Sequence, residues 1–391
     1  MSDSRKVSAE TRAMIERLVA FDTTSRNSNL ELIHYVRDYL KDLDVESHLT
    51  FDDTKQKANL YATLGRGDRG GIALSGHTDV VPVDGQDWSS DPWSVTERDG
   101  RLYGRGTCDM KSFIAVALAH APRILERELE LPIHLCLSYD EEVGCRGAPR
   151  MLAFLAEQEV RPRGCIIGEP TSMKVIVGHK GTLSHICHVR GHECHSSLAP
   201  QGVNAIEAAA KVIVKLSEMA ARKAKEGPFD EDYDVPHTTV HTGVIEGGTV
   251  LNIVPADCRF TFEFRCLTAD DPWALQDEIQ TYAQQELEPA MKAIDPETGF
   301  SWEQDSSYPG LDIAPDEEIV QLVKSLTGAN TTGKVAFGTE AGLFHESGIP
   351  AVICGPGSIE QAHKPDEFIA LEQVAACEEF MGRLLDRISA S

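Results

Sequence analysis

The order of secondary-structure signals changes twice along this chain, and that break constrains the fold more than any single motif. Up to about residue 178, apolar strand-like runs alternate with helical patterns. From there to about residue 306 the order reads strand, helix, strand, strand, helix, strand, after which the first pattern resumes. Strands alternating with helices predict an α/β sandwich around a parallel or mixed sheet. The interrupting segment has the order of a ferredoxin-like α+β unit. A chain that leaves one pattern and returns to it is read as one domain inserted into another. The expected division is 1–178, 179–306 and 307–391, with Ser306–Gly310 as the return linker.

Local signals supply the elements. Met14, Ile15, Leu18 and Val19 share a helical face after Ser8. Ser28 and Glu31 have the spacing of a capping box before a helix carrying Leu32, Ile33, Val36, Leu40 and Leu43. Strands are expected where Val45, Leu49 and Phe51 alternate, and at Asn59–Leu64, Ile72–Gly76, Ile133–Ser138 and Cys165–Gly168. Helices are expected after Met110 and after Gly147. Within the insert, strands are expected at Thr182–Val189, Thr238–Ile245, Cys258–Cys266 and Gly299–Glu303, with helices at Val203–Ala224 and Pro272–Lys292.

Charge narrows the partners. With 37 Lys+Arg against 62 Asp+Glu, the formal net charge of −25 opposes binding to nucleic acid or an anionic membrane. No apolar run approaches the roughly 20 residues that span a bilayer. The N-terminal stretch lacks the basic start and apolar core of a secretory signal. Ten cysteines without a Cys-x-x-Cys pair read as small buried residues of a reduced, cytoplasmic protein.

Five segments place an acid or a histidine just after an apolar strand or in a turn. These are His77 and Asp79 in SGHTDVVP, Asp109 in GRGTCDMKS, Glu141 and Glu142 in SYDEEVG, Glu169 in IIGEPTS, and His363 in GSIEQAHKPDE. The carboxyl edge of an open α/β sheet is where ligands bind. Each segment alone has an ordinary alternative: a surface histidine, a helix N-cap aspartate, a solvated acidic loop. Acids crowded at one edge would repel one another, and a divalent cation would relieve that repulsion. Two histidines and three carboxylates suit two zinc ions sharing one carboxylate, leaving Glu141 as a general base. His192-Glu193-Cys194-His195 has one residue too few for a zincin helix, and no Walker A or Gly-x-Ser-x-Gly motif is present.

In this order, SGHTDVVP, GRGTCDMKS, DEEVGCRG, GEPT and GSIEQAHKPDE resemble the di-zinc aminoacylase-type metallopeptidases, nearest the acetylornithine and succinyl-diaminopimelate deacylases. The resemblance covers nearly the whole chain. It implies a zinc-exopeptidase-like α/β/α catalytic sandwich and an inserted lid and dimerisation domain. By the same resemblance, two zinc ions per chain (cobalt can substitute) would be held, one by His77 and Glu169, the other by Glu142 and His363, with Asp109 bridging. Asp79 would orient His77, and Glu141 would be the general acid/base. His195, in GHECHSS, would stabilise an oxyanion, reaching a partner subunit of a homodimer. Asn252, Arg265, Gly338 and Thr339 would hold the substrate, an N-acyl amino acid with N-acetyl-L-ornithine first in line. Arg265 also stands on the polar face of a strand whose other face is Phe260, Phe262 and Phe264, where a guanidinium can grip a carboxylate.

Overall fold

A computed structural model describes residues 6–390, which divide into two compact units. The first runs to Gly178 and resumes over Leu311–Lys334 and from Thr339 onward; the second comprises His179–Gly310 and Val335–Gly338.

The first unit is built on a mixed nine-stranded sheet. At its centre Ile133–Ser138, Ile72–His77, Gly164–Pro170 and Ala351–Gly355 lie side by side, all parallel. Ala58–Leu64 joins Ile133–Ser138 antiparallel, and Ser47–Phe51 pairs antiparallel with it in turn. Ile72–His77 and Ile133–Ser138 are buried at every position, as strands covered on both faces must be. Helix Lys111–Leu125 is buried nearly all round; it packs on Ile72–His77 and against helices Ala9–Val19 and Leu371–Ile388. Because the central strands run the same way, their carboxyl ends share one edge. His77 closes one strand, residues 140–142 follow another, and Glu169 lies near the end of a third. A separate three-stranded sheet pairs Phe368–Ala370 with Arg101–Tyr103 and that with Thr96–Arg98.

The second unit is a four-stranded antiparallel sheet in the order Thr239–Gly247, Asp257–Cys266, Gly181–Arg190, Gly299–Tyr308. In chain order that is 2-3-1-4, the ferredoxin-like arrangement. Burial alternates along Asp257–Cys266, and its inward Phe260, Phe262 and Phe264 meet Ala209, Val212, Leu216 and Met219 of helix Ala205–Glu226. That helix is capped by Asn204, whose side chain accepts from the backbone N–H of Ile206 and Glu207.

Three local expectations need correction. The capping box of Ser28 and Glu31 does not form: the helix Leu30–Asp42 is preceded by Asn29, which makes no side-chain cap bond. Asn29 instead bonds both backbone groups of Ala58 and the Thr78 hydroxyl, so a tertiary contact outcompetes the local one. The expected helix Pro272–Lys292 is regular only over Pro272–Tyr282, then widens to a π-turn at Ala283–Leu287 before Glu288–Lys292. Pro289, lacking an N–H, suits the restart of a helix better than its interior. The last strand of the insert extends over Gly299–Tyr308, so most of the expected linker is paired with Gly181–Arg190. No helix among the described residues is long and apolar enough to cross a membrane. All ten cysteines are free, and nine of them are buried.

Candidate metal centre

The edge shared by the parallel strands gathers five of the expected side chains. His77 Nε2 lies 3.0 Å from Asp109 Oδ1 and 3.8 Å from Glu169 Oε1. His363 Nε2 lies 2.9 Å from Glu142 Oε2 and 3.4 Å from Asp109 Oδ2. Asp109 thus faces both imidazoles, one with each oxygen. His77, Asp109 and Glu142 offer atoms within 4.8 Å of one another, and so do His77, Glu141 and Glu169.

The His77 tautomer follows from its neighbour. Nδ1 is 2.9 Å from the carbonyl oxygen of Asp79, which can only accept, so Nδ1 carries a proton and Nε2 is the nitrogen aimed at the centre. The sequence suggests Asp79 as the orienter of His77 through its carboxylate; its carbonyl is the closer group, the carboxylate standing 3.6 Å away. That carboxylate has other partners. Oδ1 accepts from Glu141 N at 3.1 Å, Oδ2 from Glu142 N at 3.3 Å and from the Ser25 hydroxyl at 2.7 Å. Asp79 therefore fastens the loop carrying both glutamates.

Burial concentrates charge here. It pushes the carboxyl groups of Glu141 and Glu169 well above their usual range, and the negative charges around them add to the effect. Glu142 rises to about 7, through burial and the charge of Asp109. Asp109 stays low despite burial because both histidines favour its anion. His363 is pushed up to about 10 by its bonds to Asp109 and Glu142. Four buried carboxylates and two imidazoles with nitrogens aimed among them make a donor set that fits divalent cations, which would reverse the penalty on the anions.

Thr339 is buried in the first unit, where its hydroxyl accepts from Ala341 N at 3.0 Å and caps a short helix. His195, Asn252, Arg265 and Gly338 belong to the second unit. Ser197 N–H donates to His195 Nδ1 at 3.2 Å, so Nε2 carries the imidazole proton. The Asn252 carbonyl accepts from Ser196 N at 2.9 Å, tying its loop to that of His195. Arg265 is already engaged: Nη1 meets Thr182 Oγ1 and Tyr308 OH, each at 3.0 Å, and Nη2 meets Glu263 at 3.0 Å. Gly338 lies against the Tyr308 ring so closely that a Cβ would stand 2.1 Å from a ring carbon. Sequence reasoning passes over Tyr308, Glu263 and two buried acids, Glu340 and Glu367. Glu340 adjoins Thr339, and burial raises it to about 7. Only its place next to Thr339 could have marked it.

Comparison with known proteins gives a consistent outcome. The model of Peptidase family M20/M25/M40 matches residues 73–387. Acetylornithine deacetylase of Myxococcus xanthus is 37% identical over 380 residues, covering 95% of this chain and 96% of its own. Among solved structures, an M20 family metallo-carboxypeptidase of Sulfolobus solfataricus superposes with a TM-score of 0.75 at 18% identity, over 97% of this chain and 99% of its own. A dinuclear metal-binding M20 peptidase of Bacillus subtilis gives 0.64 at 15% identity, over 97% of each chain.

Proposed function

The chain belongs to the M20/M25/M40 peptidase family and is a metal-dependent hydrolase, and we propose that it removes the acetyl group of N-acetyl-L-ornithine, releasing L-ornithine and acetate. The single observation that carries the chemistry is the pair of imidazoles converging on Asp109, with Glu141 beside them.

We assign His77 and Glu169 to one zinc ion, Glu142 and His363 to a second, and Asp109 to both. Bound there, the ions supply Lewis acidity toward an acyl carbonyl and lower the pKa of water. Glu141 takes the proton of the attacking water as its oxygen adds to the acyl carbon. Its carboxylate lies beside His77 and Glu169, within reach of a water at the centre. The His195 Nε2–H donates to the tetrahedral oxyanion. As the C–N bond breaks, Glu141 returns the proton to the leaving amine. Arg265, Asn252, Gly338 and Thr339 bind the amino-acid part of the substrate. The protein works as a cytoplasmic homodimer joined through its second unit, with His195 serving the partner's site.

Replacing Glu141 by Gln tests the reading. Gln keeps the shape and cannot accept the proton, so zinc and fold are retained while turnover falls by 10²–10⁴-fold or more, an order-of-magnitude expectation. A variant that loses its metal instead exchanges the roles of Glu141 and Glu142.

A further inference from the structure

Glu367 is buried four residues after His363, and its carboxylate is fully subscribed. Oε1 accepts from Cys108 N at 2.7 Å and Asp109 N at 3.0 Å. Oε2 accepts from Arg105 Nη1 at 2.7 Å and Gly106 N at 3.0 Å. About four donors are as many as an ionised carboxylate takes. All four belong to the loop that ends in Asp109.

The same loop is tied to the other end of the His363 segment. Arg105 Nη2 donates to Gln86 Oε1 at 2.6 Å, and Gln86 Nε2 donates to the His363 carbonyl at 3.0 Å. Trp88 Nε1 donates to the same Gln86 oxygen at 3.0 Å. A closed circuit therefore runs from the Asp109 amide through Glu367, Arg105 and Gln86 to the His363 backbone. His363 needs such support. Its side chain is 55% exposed, whereas those of His77, Asp109, Glu142 and Glu169 are buried. Its φ of +65° is one that residues with a Cβ seldom adopt unaided.

We propose that Gln86, Arg105 and Glu367 are positioning residues that set the gap between Asp109 and His363, and so control the affinity of the metal subsite that His363 completes. The subsite of His77 and Glu169 depends on them less, because His77 is oriented by Asp79 and shares only Asp109 with the circuit. The proposal rests on the two-metal assignment made above.

Zinc alone, titrated into the full-length metal-free protein by calorimetry with elemental analysis, is the test. The wild-type chain takes up two equivalents. Gln86 is partly exposed, so Gln86→Ala keeps the fold, and losing the acceptor for Arg105 and Trp88 lowers the melting of the metal-free protein only modestly. Removing a support of this kind costs about 10–100-fold in metal affinity, so the weaker equivalent loosens by that factor while the tighter one stays within about twofold. Glu367→Gln must turn an amide NH₂ toward two of the four donors, and it weakens the same equivalent further. Two equivalents bound by Gln86→Ala with wild-type affinities, or both weakened alike, overturn the proposal. Fewer than two equivalents in the wild-type chain overturn the two-metal assignment, and the positioning role with it.

Discussion

Replacing Asp79 by Asn perturbs one atom of a group that holds three donors. The carboxylate accepts the amides of Glu141 and Glu142, one on each oxygen, and the Ser25 hydroxyl on Oδ2. An amide offers an acceptor on only one side. Whichever way the substituted side chain turns, at least one backbone N–H of the acidic loop faces an NH₂ group. A hydrogen bond to a charged group contributes about 1.5–3 kcal/mol, so the variant loses roughly 2–3 kcal/mol of stability. The larger effect falls on the loop, because Glu141 and Glu142 are adjacent and move together. A displacement on the order of 1 Å at a reacting group costs about 100-fold in rate. The His77 tautomer survives, since the Asp79 carbonyl that sets it is a backbone group the substitution leaves in place. Saturating zinc therefore fills the variant without restoring turnover. Urea denaturation, zinc content and the steady-state rate with N-acetyl-L-ornithine are the measurements. Wild-type stability and rate in Asp79→Asn would show that the carboxylate does not hold the loop. Activity recovered by excess metal would show that it acts through the metal ligands His77 or Glu142 instead.

Two further outcomes concern other parts of the molecule. His134 is buried with its pKa lowered to about 4, and its Nε2 accepts from Gly71 N at 3.0 Å. Its folded-state pKa lies below the unfolded value of about 6.5, so the unfolded chain binds the proton first. Stability is fully present above that value and declines by ~3 kcal/mol as pH falls toward 4, and His134→Gln, which keeps an acceptor for Gly71, flattens that limb in urea titrations. On the proposed homodimer, neither His195→Ala nor Glu141→Gln protein turns over well, whereas subunit exchange between them regains about a quarter of wild-type activity if sites act independently. No recovery in heterodimers verified by tagged pull-down would place His195 in its own chain's chemistry or restrict it to capping Ser197.

The parts of this protein that can be read from sequence are those whose signal is local and repeated. Ile133–Ser138 is legible because a six-residue apolar run has few other uses, and Asp257–Cys266 because Phe260, Phe262 and Phe264 alternate with polar residues. The metal-centre candidates stand out for a related reason: most of these acids and histidines follow a strand, and parallel strands end at one edge. What escapes depends on partners distant in sequence. Asn29 abandons a local cap for Ala58 and Thr78. Tyr308 reads as part of a linker, yet it reaches Arg265 from a paired strand. Glu367 looks like one acid among many, and only the fold reveals the four donors it collects from residues 105–109. Asp79 is legible as a neighbour of His77 but not as the fastener of Glu141 and Glu142, because that role lies across two strand ends.

The most direct measurement is the release of L-ornithine from N-acetyl-L-ornithine by one preparation of this protein, before chelation, after chelation and after reloading. Turnover disappears when elemental analysis shows the metal removed and returns on adding zinc or cobalt. Full turnover in protein shown to be metal-free, or no ornithine from protein carrying two zinc ions per chain, would contradict the proposed metal-dependent deacetylation.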